Sequence, residues 1–178
     1  MDPAPPPQKV AVVGASLAGL AAANVFNELG FHVRVFERSC SSFEHRGSAL
    51  GFVDTELWAR LRRTPMMRRG VRASSAQGAF WYGDLWKFLH IGLPAGTLRL
   101  GQAVESVGDD SMHPAIGGEP YDLVVIADGG WSTLRHHVLG PGHIVPHYAG
   151  YVVWRGMVEA THVPGFCAFG IHLATALS

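Results

Sequence analysis

The chain has 178 residues, 48% of them apolar and 16% charged, a balance that suits a globular domain with the start of a second and excludes a disordered chain. Its 14 basic and 14 acidic residues cancel, so no global field points to nucleic acid or anionic lipid. The two cysteines, Cys40 and Cys167, give neither a disulfide framework nor a zinc pattern, no run of about 18 apolar residues spans a membrane, and no basic-then-apolar leader is present, so we expect a cytoplasmic protein with free thiols and no metal.

Residues 1–8, rich in proline, read as a disordered tail. The apolar run Val10-Ala11-Val12-Val13 ends in Gly14 and predicts a buried strand. Residues 17–29 are rich in Ala and Leu, and Gly30 follows as a helix stop. Residues 32–37 alternate as a second strand, parallel to the first because a helix connects them. A polar loop is expected over 39–46 and a helix over 55–63, ended by Pro65. Arg60, Arg62, Arg63, Arg68, Arg69 and Arg72 make the middle basic. Without interleaved aromatics, this stretch reads as a solvated face or an NADPH contact, not a nucleic-acid surface.

Residues 82–91 predict a helix that turns Trp86 and Leu89 to a core. Trp81, Tyr82 and Trp86 read as core rather than as a substrate cage. Short strands are expected over 97–100 and 104–107, and an exposed, turn-rich stretch over 108–120. The apolar run 121–127 reads as a strand buried on both faces. A short helix over 131–138, a loop over 140–146 and a long strand over 148–158 complete the pattern; residues 162–178 show none. His143 and His147 have helical metal-ligand spacing, but Gly142 and Pro146 oppose a helix there.

Two segments carry chemistry. Gly14-Ala15-Ser16-Leu17-Ala18-Gly19 lies between strand and helix, where a dinucleotide fingerprint belongs. Gly14 permits the sharp turn, a small residue at 16 lets backbone approach a pyrophosphate, and Gly19 lets helix and strand pack closely. The helix N-terminus offers N–H groups and a positive dipole end. Ser16 replaces the usual middle glycine and brings a hydroxyl that can donate to phosphate. Glu37 ends the second strand, where an acid accepts from ribose hydroxyls. The competing reading is a tight βα turn without ligand. The second segment, Asp122-Leu123-Val124-Val125-Ile126-Ala127-Asp128-Gly129, puts an acid and a glycine at a strand's carboxyl end, with Ser132 and Arg135 following. Taken alone, Asp128 or Ser132 is a helix cap.

Together with Phe36-Glu37-Arg38, these segments resemble the class A FAD-dependent aromatic monooxygenases, the para-hydroxybenzoate hydroxylase type. Ala127-Asp128-Gly129-Gly130-Trp131-Ser132-Thr133-Leu134-Arg135 resembles that family's Asp-Gly motif, and the run from Tyr148 to Gly156 resembles its 2,6-dihydroxypyridine hydroxylase branch. The resemblance implies an α/β fold: a Rossmann-like FAD-binding domain over 9–140, with a segment inserted at about 64–96, then the start of a β-rich substrate domain over 141–178. It implies FAD, with NAD(P)H as electron donor, and a small aromatic substrate that receives one oxygen atom. The flavin supplies the chemistry while the protein positions it and excludes water, so no single catalytic acid or nucleophile is expected.

By the same resemblance, Gly14, Ala15, Ser16, Leu17, Ala18 and Gly19 hold the pyrophosphate. Glu37 holds the ribose and Arg38 flanks the adenosine. Arg46 lies near flavin and phosphate, Val104 offers backbone to adenine, and Asp128 with Gly129 touches FAD and the nicotinamide. The family's third motif, a Gly-Asp pair after the Asp-Gly segment, has no counterpart after Gly156. The chain therefore reads as a truncated form holding most of the ADP half. The alternative is a non-catalytic flavin- or nucleotide-binding module. A nicotinamide-only dehydrogenase is disfavoured, because Tyr82 and Lys87 lack the Tyr-x-x-x-Lys spacing. Apolar residues such as Trp131, Tyr151, Trp154 and Phe166 are expected to face an oligomer or a partner chain.

Overall fold

The computed structural model describes residues 8–46, 49–51, 73–74, 79–110, 113–140 and 147–152. It divides into two units, Met1–Ile144 and Val145–Ser178. The second contributes 147–152 to the described residues, and these hold no helix or strand. The expected helix over 55–63, the arginine-rich stretch, His143, Trp154, Phe166 and residues 153–178 lie outside the described residues.

The first unit is built on a parallel sheet. Strand β1 (Lys9–Val13) leads through helix α1 (Leu17–Glu28) to strand β2 (His32–Glu37). After β2 come β3 (Ala49–Gly51), β4 (Ala73–Ser74), β5 (Ala79–Trp81) and helix α2 (Tyr82–Ile91). Next are β6 (Leu98–Leu100), β7 (Gly108–Asp110), β8 (His113–Ile116), β9 (Glu119–Pro120), β10 (Leu123–Ile126) and helix α3 (Arg135–Leu139). The main sheet has the order β10-β1-β2-β6 and its pairings are parallel. The chain moves outward from β1 through β2 to β6, then returns to the other side of β1. That reversal is a topological switch point, and ligand crevices lie at such points, beyond the carboxyl ends of the strands.

Strand β1 is buried on both faces because its side chains alternate between two cores. Val10 and Val12 pack with Leu20 and Ala23 of α1 and with Trp86 of α2. Ala11 and Val13 pack on the other face with Ile116, Tyr121 and Leu134. Asn24 of α1 joins the two helices by donating to the carbonyls of Leu20 (2.8 Å) and Leu89 (2.9 Å).

Five expectations of secondary structure change. Residues 148–152, expected to open a long strand over 148–158, form none. Residues 104–107 form no strand, and the stretch after them is not merely exposed turn. It is a three-stranded antiparallel sheet of order β7-β8-β9, in which Ile116 is buried. Gly117 and Gly118 both have positive φ, 60° and 81°, and connect Ile116 to its cross-strand partner Glu119. Two such residues make the tight hairpin turn whose twist matches its strands. Strand β10 is an edge of the described sheet, so it is only partly buried, with Leu123 41% exposed. The helix expected over 131–138 is confined to Arg135–Leu139, and Trp131 stands in the preceding turn.

The small sheet is tied to the large one by charge. Glu119 pairs with Arg34 of β2 and with Lys9 of β1 at 3.5 Å, and it accepts from the Tyr121 hydroxyl at 3.2 Å. Burial pushes the Glu119 carboxyl upward, but Arg34, Tyr121 and Lys9 together hold it below the usual carboxylate range. The hydrogen bond with Tyr121 in turn raises Arg34. A depressed carboxyl contributes stability that is present above its unfolded pKa and lost as pH falls through the folded one. Both side chains are a third exposed, so screening keeps the term to about 1 kcal/mol or less. Glu119→Gln is expected to be less stable than the parent at pH 7 and equal to it in strong acid. Urea unfolding at both pH values checks this.

Candidate functional site

An open cleft of about 840 Å³ lies beyond the carboxyl ends of β1, β2, β6 and β10. Its wall is built in four pieces: Gly14 and Ser16 after β1, Glu37 to Ser39 at the end of β2, Gln102 to Glu105 after β6, and Ala127 to Gly129 after β10. Phe43, Arg46, Trp131 and Thr133 add to it.

The first turn is shaped by two glycines. Gly14 has φ +101°, and a Cβ there would strike the carbonyl of Ala127. A Cβ on Gly19 would strike the carbonyl of Gly14. Both positions bring backbone against backbone where no side chain fits. The Gly14 N–H donates to the Phe36 carbonyl (2.8 Å), and the Ala127 N–H to the Val13 carbonyl (2.8 Å), so three strand ends converge on one point.

The Ala15 peptide is held at both ends. Its N–H donates to Glu37 Oε2 at 2.9 Å, and its carbonyl accepts from Trp86 Nε1 at 2.7 Å. Glu37 Oε1 accepts from the Ser39 N–H at 2.8 Å. Glu37 is buried, as is Ala15. The acid is therefore a strut for two loops as well as a wall of the cleft. Each of its oxygens has a second lone pair for a hydroxyl from the cleft. Glu37→Ala leaves the two N–H groups without their acceptor. Charge-assisted bonds are worth about 1.5–3 kcal/mol each, so a stability loss of about 3–6 kcal/mol is expected with no ligand present. Denaturant midpoints of the two proteins check it.

The helix that follows starts without help from its own side chains. Ser16 occupies the N-cap position of α1 but makes no capping bond. Its hydroxyl instead meets the Tyr82 hydroxyl at 2.7 Å. Arg46 donates to Ser39 Oγ at 3.1 Å and lies 4.5 Å over the Phe43 ring, a cation–π geometry. At the third strand end, Arg135 donates to the carbonyls of Gly129 (3.2 Å) and Gly130 (3.0 Å). Ser132 Oγ accepts from the Arg135 N–H at 3.0 Å. Ser132 thus takes the capping role, and Asp128 lines the cleft.

The structure brings Gly14, Ser16, Glu37, Arg38, Arg46, Val104, Asp128 and Gly129 to one cleft. Ala15, Leu17, Ala18 and Gly19 shape the turn without lining it. Val104 takes its place from an irregular segment. Phe43, Gln102, Glu105 and Thr133 join the cleft beyond the residues expected there. Gln102 was reachable, because it follows the carboxyl end of the strand predicted over 97–100, whereas Glu105 fell inside the strand predicted over 104–107. Phe43 carried no signal. Nor were Tyr82 and Trp86 seen as supports of the first turn; the sequence marked them only as core.

No family model matches the chain. It is 32% identical to 3-amino-4-hydroxybenzoate 2-monooxygenase of Streptomyces cremeus, over 89% of this chain and 48% of that protein. It is 30% identical to 6-hydroxynicotinate 3-monooxygenase of Bordetella bronchiseptica, over 84% of this chain and 47% of that one. The chain is homologous to the N-terminal half of FAD-dependent aromatic-ring monooxygenases. It spans about half the length of the curated relatives it matches. Among solved structures, 2,6-dihydroxypyridine-3-hydroxylase from Arthrobacter nicotinovorans aligns with TM-score 0.60 at 24% identity, over 83% of this chain and 42% of that one. CtdE in complex with FAD aligns with TM-score 0.64 at 17% identity, over 81% and 44%. These structures share the fold of the monooxygenase FAD-binding domain, as the parallel sheet and its βαβ start lead one to expect.

Proposed function

We propose that this chain binds FAD in the cleft and provides the nucleotide-holding part of an NAD(P)H-dependent aromatic-ring monooxygenase. The observation that carries the reading is the convergence at the switch point. The uncapped start of α1, the Glu37 carboxylate and the Asp128 turn all meet one open cleft. This donor set fits the ADP portion of FAD. N–H groups and a positive dipole end suit a diphosphate, and a carboxylate with spare lone pairs suits ribose hydroxyls. Gly14, Ser16 and the start of α1 hold the pyrophosphate, with Ala15, Leu17, Ala18 and Gly19 shaping that turn. Glu37 holds the ribose, Arg38 and Val104 flank the adenosine, Arg46 lies on the phosphate and flavin side, and Asp128 with Gly129 meets the flavin and the approaching nicotinamide. FAD, when bound, supplies the oxygen-transfer chemistry to a small aromatic substrate.

A flavin-binding module without turnover is the second reading. Among the described residues no helix is long and apolar enough to cross a membrane, and Cys40 is a free, exposed thiol. Both are compatible with the cytoplasm, which we assign as the compartment. Trp131, 85% exposed, and Tyr151, 59% exposed, support a partner chain or oligomer that covers them. A monomer that binds no hydrophobic dye refutes that part.

The deciding measurement is an absorbance spectrum from about 300 to 550 nm after FAD is added and the excess removed, the region in which flavins absorb. Retained flavin bands support the FAD site, and NAD(P)H oxidation by that protein separates the two readings. A folded, colourless protein overturns both.

A further inference from the structure

We propose that Tyr82 is a positioning residue for the diphosphate: its phenol draws the Ser16 hydroxyl off the end of α1, so that the helix N-terminus and the serine proton both serve the cleft. The inference rests on the FAD reading and adds to it a residue that lies outside the cleft wall.

Three observations combine. A serine at the N-cap position ordinarily turns its oxygen back onto the second or third N–H of its own helix. Ser16 does not; α1 starts with no side-chain cap, and the Ser16 hydroxyl meets Tyr82 at 2.7 Å instead. Second, the backbone on the N-terminal side is pinned, with the Ala15 peptide held by Glu37 and Trp86. The side-chain torsion of Ser16 is then the freedom left to the turn, and Tyr82 fixes it. Third, Ser16 lines the cleft while Tyr82, the first residue of α2, stands behind it.

Each hydroxyl has one proton and two lone pairs. The phenol is the stronger acid, so Tyr82 donates to Ser16 Oγ and the serine proton is released for an acceptor in the cleft. A phosphate oxygen is such an acceptor, and the neighbouring N–H groups of α1 suit the same anion. A glycine at position 16 would leave the helix end open but supply no proton. Serine alone would supply a proton but cap its own helix. The pair does both.

The test is a double-mutant cycle in the full 178-residue chain, with FAD and ADP as diphosphate probes and adenosine, which has no phosphate, as the control. Binding is followed by quenching of flavin fluorescence, with ADP and adenosine as competitors. Tyr82→Phe keeps the ring and is expected to weaken FAD and ADP by about five- to tenfold, one hydrogen bond's worth, and to leave adenosine unchanged. In a Ser16→Gly background the same substitution should change FAD affinity by less than about twofold, since the coupling partner is gone. Equal losses for FAD and adenosine, or the same loss in the glycine background, show a packing role and overturn the inference. If Tyr82→Phe does not fold, Ser16→Ala takes its place; unchanged ADP affinity in that variant overturns the inference. If the parent chain retains FAD and Tyr82→Phe matches it, this inference alone fails. If the parent binds neither FAD nor ADP, the FAD reading fails and takes this one with it.

Discussion

Trp86→Ala is expected to cost about 3–5 kcal/mol, the range for removing a large buried aromatic. That is a large part of the 5–15 kcal/mol that holds a typical domain together. Trp86 is fully buried and packs beside Phe43, with ring centroids 5.8 Å apart, in the same core as Val10, Val12, Leu20 and Val35. The substitution empties the space between α2 and the sheet. It also strips the Ala15 carbonyl of its donor. Trp86→Phe separates the two effects, because it keeps most of the packing and loses only the bond. A loss of about 1–3 kcal/mol is expected for it. Urea denaturation followed by circular dichroism measures both variants. A Trp86→Ala protein within 1 kcal/mol of the parent would show that α2 is not anchored as described.

Gly14→Ala should act on the fold and on the cleft at once. The new Cβ meets the Ala127 carbonyl at the point where β1 and β10 end, at a φ of +101°. A non-glycine residue in that region costs about 1–2 kcal/mol, and overpacking against backbone about 1–3 more. The total is on the order of 2–5 kcal/mol. Relief requires the first turn or the Asp128 turn to move, and both turns line the cleft. FAD retention is therefore expected to fall by more than stability alone explains. Comparing flavin retained per folded protein in Gly14→Ala and Gly30→Ala tests the point. Gly30 also has positive φ, 87°, but nothing lies within 4 Å of an added Cβ. Similar flavin loss in both would mean that general destabilisation, not cleft geometry, is responsible.

Both predictions concern contacts that join distant parts of the chain, and the division between sequence and structure falls at the same place. The run from Lys9 to Glu37 was legible because its signals are local. An apolar run, a glycine turn, an Ala- and Leu-rich helix, a glycine stop and an alternating strand each follow from a few neighbouring residues. Helix α2 over Tyr82–Ile91 was legible for the same reason. The hairpin at Gly117-Gly118 had a local signal too, two glycines suited to positive φ, which a reading of the stretch as exposed turn passed over.

What the sequence by itself determined was the type of fold, its first strand–helix–strand unit and the residues that ring the cleft's main turns. The tertiary structure decided the rest, because it depends on which strand finds which neighbour. Residues 104–107 have strand-like composition but gain no partner, whereas Gly108–Asp110 pairs with His113–Ile116. Leu123–Ile126 reads as fully buried, yet it is an edge of the described sheet. Glu37 was placed correctly as an acid at a strand end. That its carboxylate braces Ala15 and Ser39 follows from where the folded turn puts their N–H groups. Tyr82 and Trp86 lie 66 and 71 residues from the turn residues they hold. No spacing rule spans such a distance, because packing of α2 against α1, not the chain between them, brings the hydroxyls of Ser16 and Tyr82 together.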